Sequence, residues 1–227
     1  WFNSPCNPTG SVYNQQELEA LAKVLRQHPN IFILSDEIYE YINFTSIPHT
    51  SFAAIEGMYE RTITINGLSK AFAMTGWRIG YLAAPEWIAK ACNKVQGQIT
   101  SGTNAIAQRA AIAALKAPKS EIQYMIDEFK KRRDLVLALL SEVEGLKVNV
   151  PEGAFYVFPD VSSFFGTTLR GRTIGNASDF SLYLLEEAMV ATVTGEAFGD
   201  ANCIRISYAA SEKELREAIR RIKESLA

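Results

Sequence analysis

Three short, nearly uninterrupted apolar runs constrain the fold of this chain more than any other feature. They cover residues 31–34 (IFIL), 62–65 (TITI) and 79–83 (IGYLA). A strand that is buried on both faces has this pattern, and such strands alternate with helices in mainly parallel sheets. Helical spacing of apolar residues, as at Leu18, Leu21 and Leu25, precedes the first run. We therefore predict an α/β fold on a mainly parallel sheet, with these three strands buried on both faces.

Polar side chains follow the extended segments. Asp36 comes directly after the first run, Lys70 follows the second, and Asn7 follows the apolar start of the chain. Ligands of open α/β sheets bind in a crevice outside the carboxyl ends of the strands. We expect these three residues to converge on one crevice.

The remaining pattern predicts a second, smaller α+β domain. Asn14 with Glu17, and Ser211 with Glu214, have the spacing of a capping box at a helix start. Pro118 interrupts the helical pattern, so we predict domains at 1–118 and 119–227. The later predicted elements are helical segments at 86–115 (interrupted near 97–103), 120–144 (stopped by Gly145) and 177–189, strands at 153–158 and 203–208, and a helix from Ser211.

Composition excludes several classes of protein. A formal net charge of −2 gives no basic face for nucleic acid, and we predict no membrane span because no apolar run is long enough. Three scattered cysteines favour reduced thiols and a cytoplasmic location. His28 and His49 lie in loop-like sequence, and we predict no metal site. Because the chain starts at Trp1 rather than at methionine, we expect it to be the inner part of a longer protein.

Lys70 is the first candidate for chemistry. It lies among small and apolar residues, with Ser69 before it and Arg78 eight positions later. A desolvated lysine loses its proton more readily, and its free amine can attack a carbonyl. The segment therefore predicts an amine that forms an imine with an aldehyde cofactor.

Four further residues each have a functional and a structural interpretation. Asp36 can hold a pyridine nitrogen protonated or cap a helix, and Tyr39 can contact a ring oxygen or simply pack. Arg78 suits a phosphate, although a lone arginine more often forms a structural salt bridge. Arg205 lies within an apolar strand and needs a partner, either a buried acid or a substrate carboxylate.

These residues together resemble the class I/II aminotransferases of pyridoxal-phosphate (PLP) fold type I. The resemblance runs essentially end to end, and the motifs stand in the family order. They are SPCNPTG at 4–10, DEIY at 36–39, GLSK at 67–70, RIG at 78–80, GAFY at 153–156 and RISY at 205–208. The segment AFAMTGWR at 71–78 is similar to the bacterial-type aspartate aminotransferase branch.

The resemblance implies PLP as cofactor and a role for each matched residue. Lys70 would form the Schiff base and act as general base, and Asp36 would pair with the pyridinium nitrogen. Asn7 and Tyr39 would contact the phenolic oxygen. The other implied binding residues are Ser69 and Arg78 for the phosphate, and Arg205 together with Asn7 for the substrate.

The resemblance also implies a partial large domain, a homodimer, and amino transfer from an amino acid, aspartate in the first instance, to a 2-oxo acid such as 2-oxoglutarate. Gly67 stands where many aspartate aminotransferases have a phosphate-binding serine. The family's other phosphate loop and its ring-stacking aromatic precede the Asn-Pro-Thr-Gly motif, so we expect the isolated chain to hold PLP weakly. Open alternatives are an aromatic or broad-specificity aminotransferase, a PLP-dependent carbon–sulfur β-lyase, and an aminotransferase-like sensor domain of a transcription regulator.

Overall fold

A computed structural model describes residues 1–226 and divides them into two compact units. The first unit contains Trp1–Cys6 and Ser11–Ile126. The second contains Asn7–Gly10 and the chain from Asp127 onward. The domain boundary predicted at 118/119 remains a prediction. The four residues Asn7–Gly10 group with the second unit although both of their flanks group with the first.

The first unit is built on a four-stranded mixed sheet. The strands are β1 (Phe2–Asn3), β2 (Ile33–Asp36), β3 (Thr62–Gly67) and β4 (Gly80–Ala83), in the order β1-β2-β3-β4. The β1–β2 and β2–β3 pairs are parallel, and β3–β4 is antiparallel. The mainly parallel α/β architecture is thus confirmed.

Helix α1 (Gln15–Leu25) begins with the predicted capping box. The Asn14 side chain accepts from the Gln16 and Glu17 amides, and Glu17 Oε2 accepts from the Asn14 amide at 2.9 Å. The apolar side of α1 packs on β2 and on the short 3-10 helix Phe52–Ala54. The buried members of this cluster are Leu18, Ala22, Ile33, Phe52, Ile55 and Met58.

The helical region after β4 is two helices, α2 (Glu86–Thr100) and α3 (Ala105–Lys116). Their interruption is shorter than predicted, because Gly97 stays helical and only residues 101–104 break the pattern. Ser101 ends α2 with a positive φ of 63°, and the Asn104 side chain caps α3 by accepting from the Ala107 amide.

The prediction that all three apolar runs are buried on both faces is wrong for two of them, and in the run at 62–65 only Thr62 is fully buried while the other three residues are partly buried. Ile31 and Phe32 precede β2 and are 47% and 46% exposed, and Tyr81 and Leu82 of β4 are 41% and 39% exposed. β4 has one strand neighbour in the described sheet, and helix α2 after it has no buried residue. An apolar strand needs cover on each face to be buried, and the described part of the first unit does not supply it.

The second unit combines short antiparallel strands with three helices. Strands β5 (Tyr156–Val157), β8 (Val193–Thr194) and β9 (Ile204–Ser207) form one sheet with β9 in the centre, and β6 (Thr168–Leu169) pairs with β7 (Arg172–Thr173). The helices are α4 (Ser120–Leu140, within which the division between the units falls), α5 (Ala177–Glu187) and α6 (Glu212–Leu226). The core is lined by Val161, Ile174, Phe180, Tyr183, Leu184, Ile204 and Ile222.

Helix ends in the second unit follow local chemistry closely. The Ser211–Glu214 capping box is confirmed, since Glu214 Oε2 accepts from the Ser211 amide at 3.0 Å and Ser211 Oγ accepts from the Glu214 amide at 3.2 Å. Helix α4 ends at Leu140, earlier than the predicted 144, and Gly145 follows in the left-handed region at φ 91°. Within residues 1–226, no helix combines the length and apolarity that a bilayer crossing requires.

Candidate active site

Asp36 is the last residue of β2, where the parallel strands end. Strand residues alternate between faces, so Ser35 and Glu37 share one face while Asp36 points to the other. The Asp36 Oδ1 atom accepts a hydrogen bond from the Ile38 amide at 3.2 Å, which is a turn cap rather than a helix cap. Desolvation by burial raises the pKa of Asp36; the Ile38 hydrogen bond opposes this, and the adjacent Glu37 charge adds to it.

Tyr39 follows in the turn after β2. It is almost fully buried, with 3% exposure, and its carbonyl accepts from the Ile42 amide at 2.8 Å. Tyr39 therefore packs in the interior, as its structural interpretation predicted. The role in contacting a cofactor oxygen remains a prediction.

Lys70 lies in the loop after β3, at the same sheet edge as Asp36, because Asp36 pairs with Ile65 in the parallel register. The loop is folded back on itself. The Met74 amide donates to the Leu68 carbonyl at 3.3 Å, and the Thr75 hydroxyl donates to the Ser69 carbonyl at 3.0 Å. Ser69 and Lys70 are both only partly buried. The predicted desolvation of Lys70 is thus partial in the described residues.

Arg78 ends the 3-10 helix Thr75–Trp77 in the left-handed conformation, with φ and ψ both 52°. Non-glycine residues in this region are strained and cluster at functional sites. The Arg78 side chain is exposed and donates to the Thr75 carbonyl at 3.0 Å. Within residues 1–226 it forms no salt bridge, so the predicted structural ion pair is absent there.

Gly67 lies where β3 and β4 approach each other closely. A Cβ atom built on it would be 3.2 Å from the Gly80 Cα, from the Ile79 carbonyl oxygen and from the Ile38 Cδ1. These contacts are tighter than ordinary van der Waals distances. A serine at this position would therefore require these neighbours to move by a few tenths of an ångström.

Arg205 lies on β9 in the second unit. Its guanidinium lies over two aromatic rings, with Cζ 4.5 Å from the Tyr156 centroid and 4.8 Å from the Phe198 centroid. Its Nη1 donates to Asn7 Oδ1 at 2.9 Å, and its buried Nε has no hydrogen-bond partner within the described chain. No described carboxylate pairs with it, so the buried structural ion pair that the sequence left open is not formed.

Asn7 belongs to a loop that is hydrogen-bonded to other residues of the second unit. The Asn149 side chain donates to the Thr9 carbonyl at 2.6 Å, and the Glu152 and Gly153 amides both donate to the Gly10 carbonyl at 2.9 Å. Gly10 has a φ of 70°, and a Cβ there would lie 2.3 Å from the Pro151 Cβ. Only glycine fits this turn.

The structure therefore groups the predicted site residues in two sets. Asp36, Tyr39, Ser69, Lys70 and Arg78 lie in the first unit, at or near the end of its parallel strands. Asn7 and Arg205 lie in the second unit and contact each other.

Sequence reasoning missed the partners of both sets. Tyr156 and Phe198 beside Arg205 are separated from it along the chain and carried no signal beyond the GAFY motif. Glu37 and His49 were also missed: His49 Nε2 lies 3.0 Å from Glu37 Oε2, although the sequence placed His49 in a loop with no ligand-like neighbour.

Comparison with known proteins decides the family. A profile described as "Aminotransferase class I and II" matches residues 1–222. The chain belongs to the class I and II aminotransferase family. One curated relative of this aminotransferase chain is a bifunctional aspartate aminotransferase and glutamate/aspartate-prephenate aminotransferase from Petunia hybrida, which is 50% identical over 98% of this chain and 47% of the relative. Another is an aspartate/prephenate aminotransferase from Cereibacter sphaeroides, which is 47% identical over 98% of this chain and 56% of the relative.

Solved structures agree with the family and with PLP fold type I. The aspartate aminotransferase from Rhizobium meliloti is 43% identical, with a TM-score of 0.95. The match covers 99% of this aminotransferase chain and 57% of the Rhizobium chain. An aromatic aminotransferase from Pyrococcus horikoshii is 41% identical, with a TM-score of 0.90. That match covers 99% of this chain and 58% of the Pyrococcus chain. The chain spans about half the length of the curated relatives it matches.

Proposed function

We propose that this chain carries the catalytic lysine and the substrate-carboxylate arginine of a PLP-dependent aminotransferase that moves an amino group from aspartate to a 2-oxo acid. The observation that carries the proposal is Arg205. A half-buried guanidinium whose buried Nε–H is unpaired, with no described acid beside it, fits an incoming carboxylate, because a buried donor without a partner is costly.

The donor set fits PLP in chemistry. Lys70 would bind the aldehyde carbon, and Asp36 would oppose the pyridine nitrogen. The Asn7 amide and the Tyr39 phenol would serve the ring oxygen. Bound PLP supplies an electron sink for the carbanion that remains when an amino acid loses its α-proton.

The protein's own steps are binding, orientation and proton movement. Arg205 would hold the substrate α-carboxylate, with Asn7 Oδ1 fixing one arm of the guanidinium. The Lys70 amine would remove the substrate α-proton and return it to the cofactor carbon that carried the aldehyde. A single base would thus serve both proton transfers from the same side of the cofactor. Burial raises the pKa of Asp36 in the described chain, and a pyridinium cation beside it would supply the missing counter-charge.

The phosphate would be bound by Ser69 and Arg78. Arg78 is exposed, has no acidic partner within residues 1–226, and is held in a left-handed conformation at the end of the loop that carries Lys70. A planar guanidinium suits a phosphate through paired N–H donors.

A second acceptor, prephenate, is supported by the names of the relatives. The Petunia and Cereibacter proteins are both named for aspartate and for prephenate. Nothing in the residue chemistry of this chain pointed to prephenate. The aromatic alternative is supported by the Pyrococcus horikoshii structure.

We further propose a homodimer in a reducing, cytoplasmic environment. Exposed apolar side chains on α2 and α3 support an interface there, among them Trp87, Ile99 and Ile106, at 64%, 74% and 73% exposure. The three cysteines are unpaired, which fits a reducing compartment.

Borohydride reduction in the presence of PLP, followed by peptide mass spectrometry, tests the assignment of the lysine. A pyridoxyl adduct on Lys70 supports the proposal, and an adduct on another lysine alone refutes it. An activity panel on the full-length protein then pairs aspartate with 2-oxoglutarate and with prephenate. Release of ammonia and pyruvate instead of amino transfer would favour a β-lyase.

A further inference from the structure

Glu37 is a buried acid for which the proposed reaction has no assigned use. It is 3% exposed, yet its carboxylate accepts four hydrogen bonds. Ser35 Oγ and Ser51 Oγ donate to Oε1 at 2.9 and 2.8 Å, and the Phe52 amide donates at 3.3 Å. His49 Nε2 lies 3.0 Å from Oε2.

These contacts keep Glu37 ionised. Burial alone would raise its pKa, but the hydrogen bonds from His49, Ser51 and Ser35 outweigh burial, and the net effect is a lowered pKa. Burying a charge is expensive, and a well-packed neutral residue often serves stability as well. Stability alone therefore does not explain a charged residue at this position, whereas the residues beside Glu37 offer an explanation.

The neighbour in question is Asp36. Ser35 and Glu37 point to one face of the strand end, so anchoring them fixes the residue between them, whose carboxylate points to the other face. The Glu37 amide donates to the Ile65 carbonyl at 2.8 Å and extends the ladder past β2. Asp36 then accepts from the Ile38 amide on the far side of Glu37.

A metal site is the other use of this cluster, and the hydrogen bonds argue against it. Ligand atoms of Glu37, Glu40 and His49 lie within 4.8 Å of one another. Glu37 already accepts four donors, and Glu40 Oε1 accepts from Asn66 Nδ2 at 3.0 Å. A cation would have to displace several of these donors.

We propose that Glu37, held by Ser35, His49, Ser51 and the Phe52 amide, is a positioning residue that fixes the Asp36 carboxylate and maintains a negative charge behind it. This inference rests on the proposed function, in which Asp36 opposes a pyridine nitrogen. A second negative charge close to that site favours the protonated ring.

The test is a pH titration of the visible absorbance of bound PLP in the full-length protein. Glu37→Gln removes the charge with little change in shape. Glu40→Gln removes the charge of a neighbouring acid whose Oε1 accepts from Asn66 Nδ2. The ionisable groups that interact with Glu37 are Asp36, Glu40, His49 and Tyr81.

Glu37→Gln is expected to move the pH midpoint of the PLP absorbance by on the order of half to one pH unit, and to lower kcat while leaving KM for dicarboxylates unchanged. Glu40→Gln is expected to leave the midpoint in place. Ser51→Ala, which keeps the charge but loosens it, is expected to shift the midpoint in the same direction by less, and it serves if Glu37→Gln does not fold.

Thermal unfolding of the PLP-free proteins separates positioning from structure. Variants that lose stability but keep the wild-type midpoint overturn the inference and leave the proposed function standing. A wild-type protein that binds no PLP at Lys70 overturns both.

Discussion

Arg205 donates a hydrogen bond from Nη1 to Asn7 Oδ1 at 2.9 Å, although the two residues are 198 positions apart in sequence. Because arginine only donates, this contact also fixes which end of the Asn7 amide faces it. Contacts with the Tyr156 and Phe198 rings restrict the guanidinium further. A substrate carboxylate would thus meet an arginine that is already oriented, with less side-chain entropy to lose.

Replacing Arg205 by lysine tests this orientation. Lysine keeps the charge but loses the planar fork and the ring contacts, so we expect dicarboxylate affinity to fall about 100-fold. Inhibitor binding to the full-length protein, measured by calorimetry, gives the affinity directly. Affinity within about twofold of wild type would remove Arg205 from the substrate site.

Phe198→Leu tests the ring contact by itself. Cation–π contacts at partly buried sites contribute about 1–2 kcal/mol, so we expect dicarboxylate affinity to weaken about 5- to 30-fold. Phe164→Leu is the matched control, because Phe164 stacks on Phe180 in the same unit at a ring distance of 4.9 Å. The control should lose stability but not affinity, and equal affinity losses in both variants would contradict the role of Phe198.

The Cys203 thiol is expected to resist alkylation. Burial, and then the nearby Asp200 carboxylate, raise the pKa of Cys203 to about 12. At pH 8 only about one thiol in ten thousand would be ionised, and the thiolate is the nucleophile. Iodoacetamide labelling with mass spectrometry should modify the partly exposed Cys6 and Cys92 first. Early modification of Cys203 in the folded protein would show that its thiol is accessible and ionised.

Gly67→Ser is expected to destabilise the fold rather than restore a phosphate-binding hydroxyl. The added Cβ would press on β4 and on Ile38 at 3.2 Å, and we expect a loss of about 1–2 kcal/mol in the free energy of unfolding. Gly97→Ser is the matched control, since a Cβ at Gly97 meets nothing within 4 Å and serine is the better helix former. Urea unfolding of the PLP-free protein measures both, and an unchanged Gly67→Ser protein would contradict the packing argument.

Acid should remove the stability that Glu37 contributes. Its pKa in the folded state is lowered from an ordinary value of 4.5, so the folded state binds its proton less tightly than the unfolded state. The contribution is therefore present above about pH 4.5 and is lost as pH falls through the lowered pKa. The difference in unfolding free energy between wild type and Glu37→Gln should shrink on acidification. A constant difference between pH 7 and pH 3 would mean that the charge is irrelevant.

The sequence predicted those features that depend on local chemistry. The capping boxes at Asn14 and Ser211 need only neighbouring residues, and the parallel strand end at Asp36 needs only an apolar run followed by a polar residue. The motif order was sufficient to identify the family, which the comparisons confirm.

Features that depend on partners distant in sequence were not predicted. His49 gave no signal, because its partner Glu37 is twelve residues away across a loop. The burial of β4 was predicted wrongly. A continuous apolar run indicates that a strand requires cover on both faces, but it does not show whether the described chain contains the covering elements. The two rings beside Arg205 could not be found by spacing, because three separate segments meet there.

The grouping of Asn7–Gly10 with the later unit has a practical consequence for dissecting the protein. A polypeptide that starts at Asp127 would lack a four-residue insert supplied from near the beginning of the chain. The Asn149 amide, the Glu152 and Gly153 amides and Arg205 Nη1 would all lose their acceptors at once. Such a piece should refold poorly alone, and a short synthetic peptide with the sequence of the missing loop should rescue it.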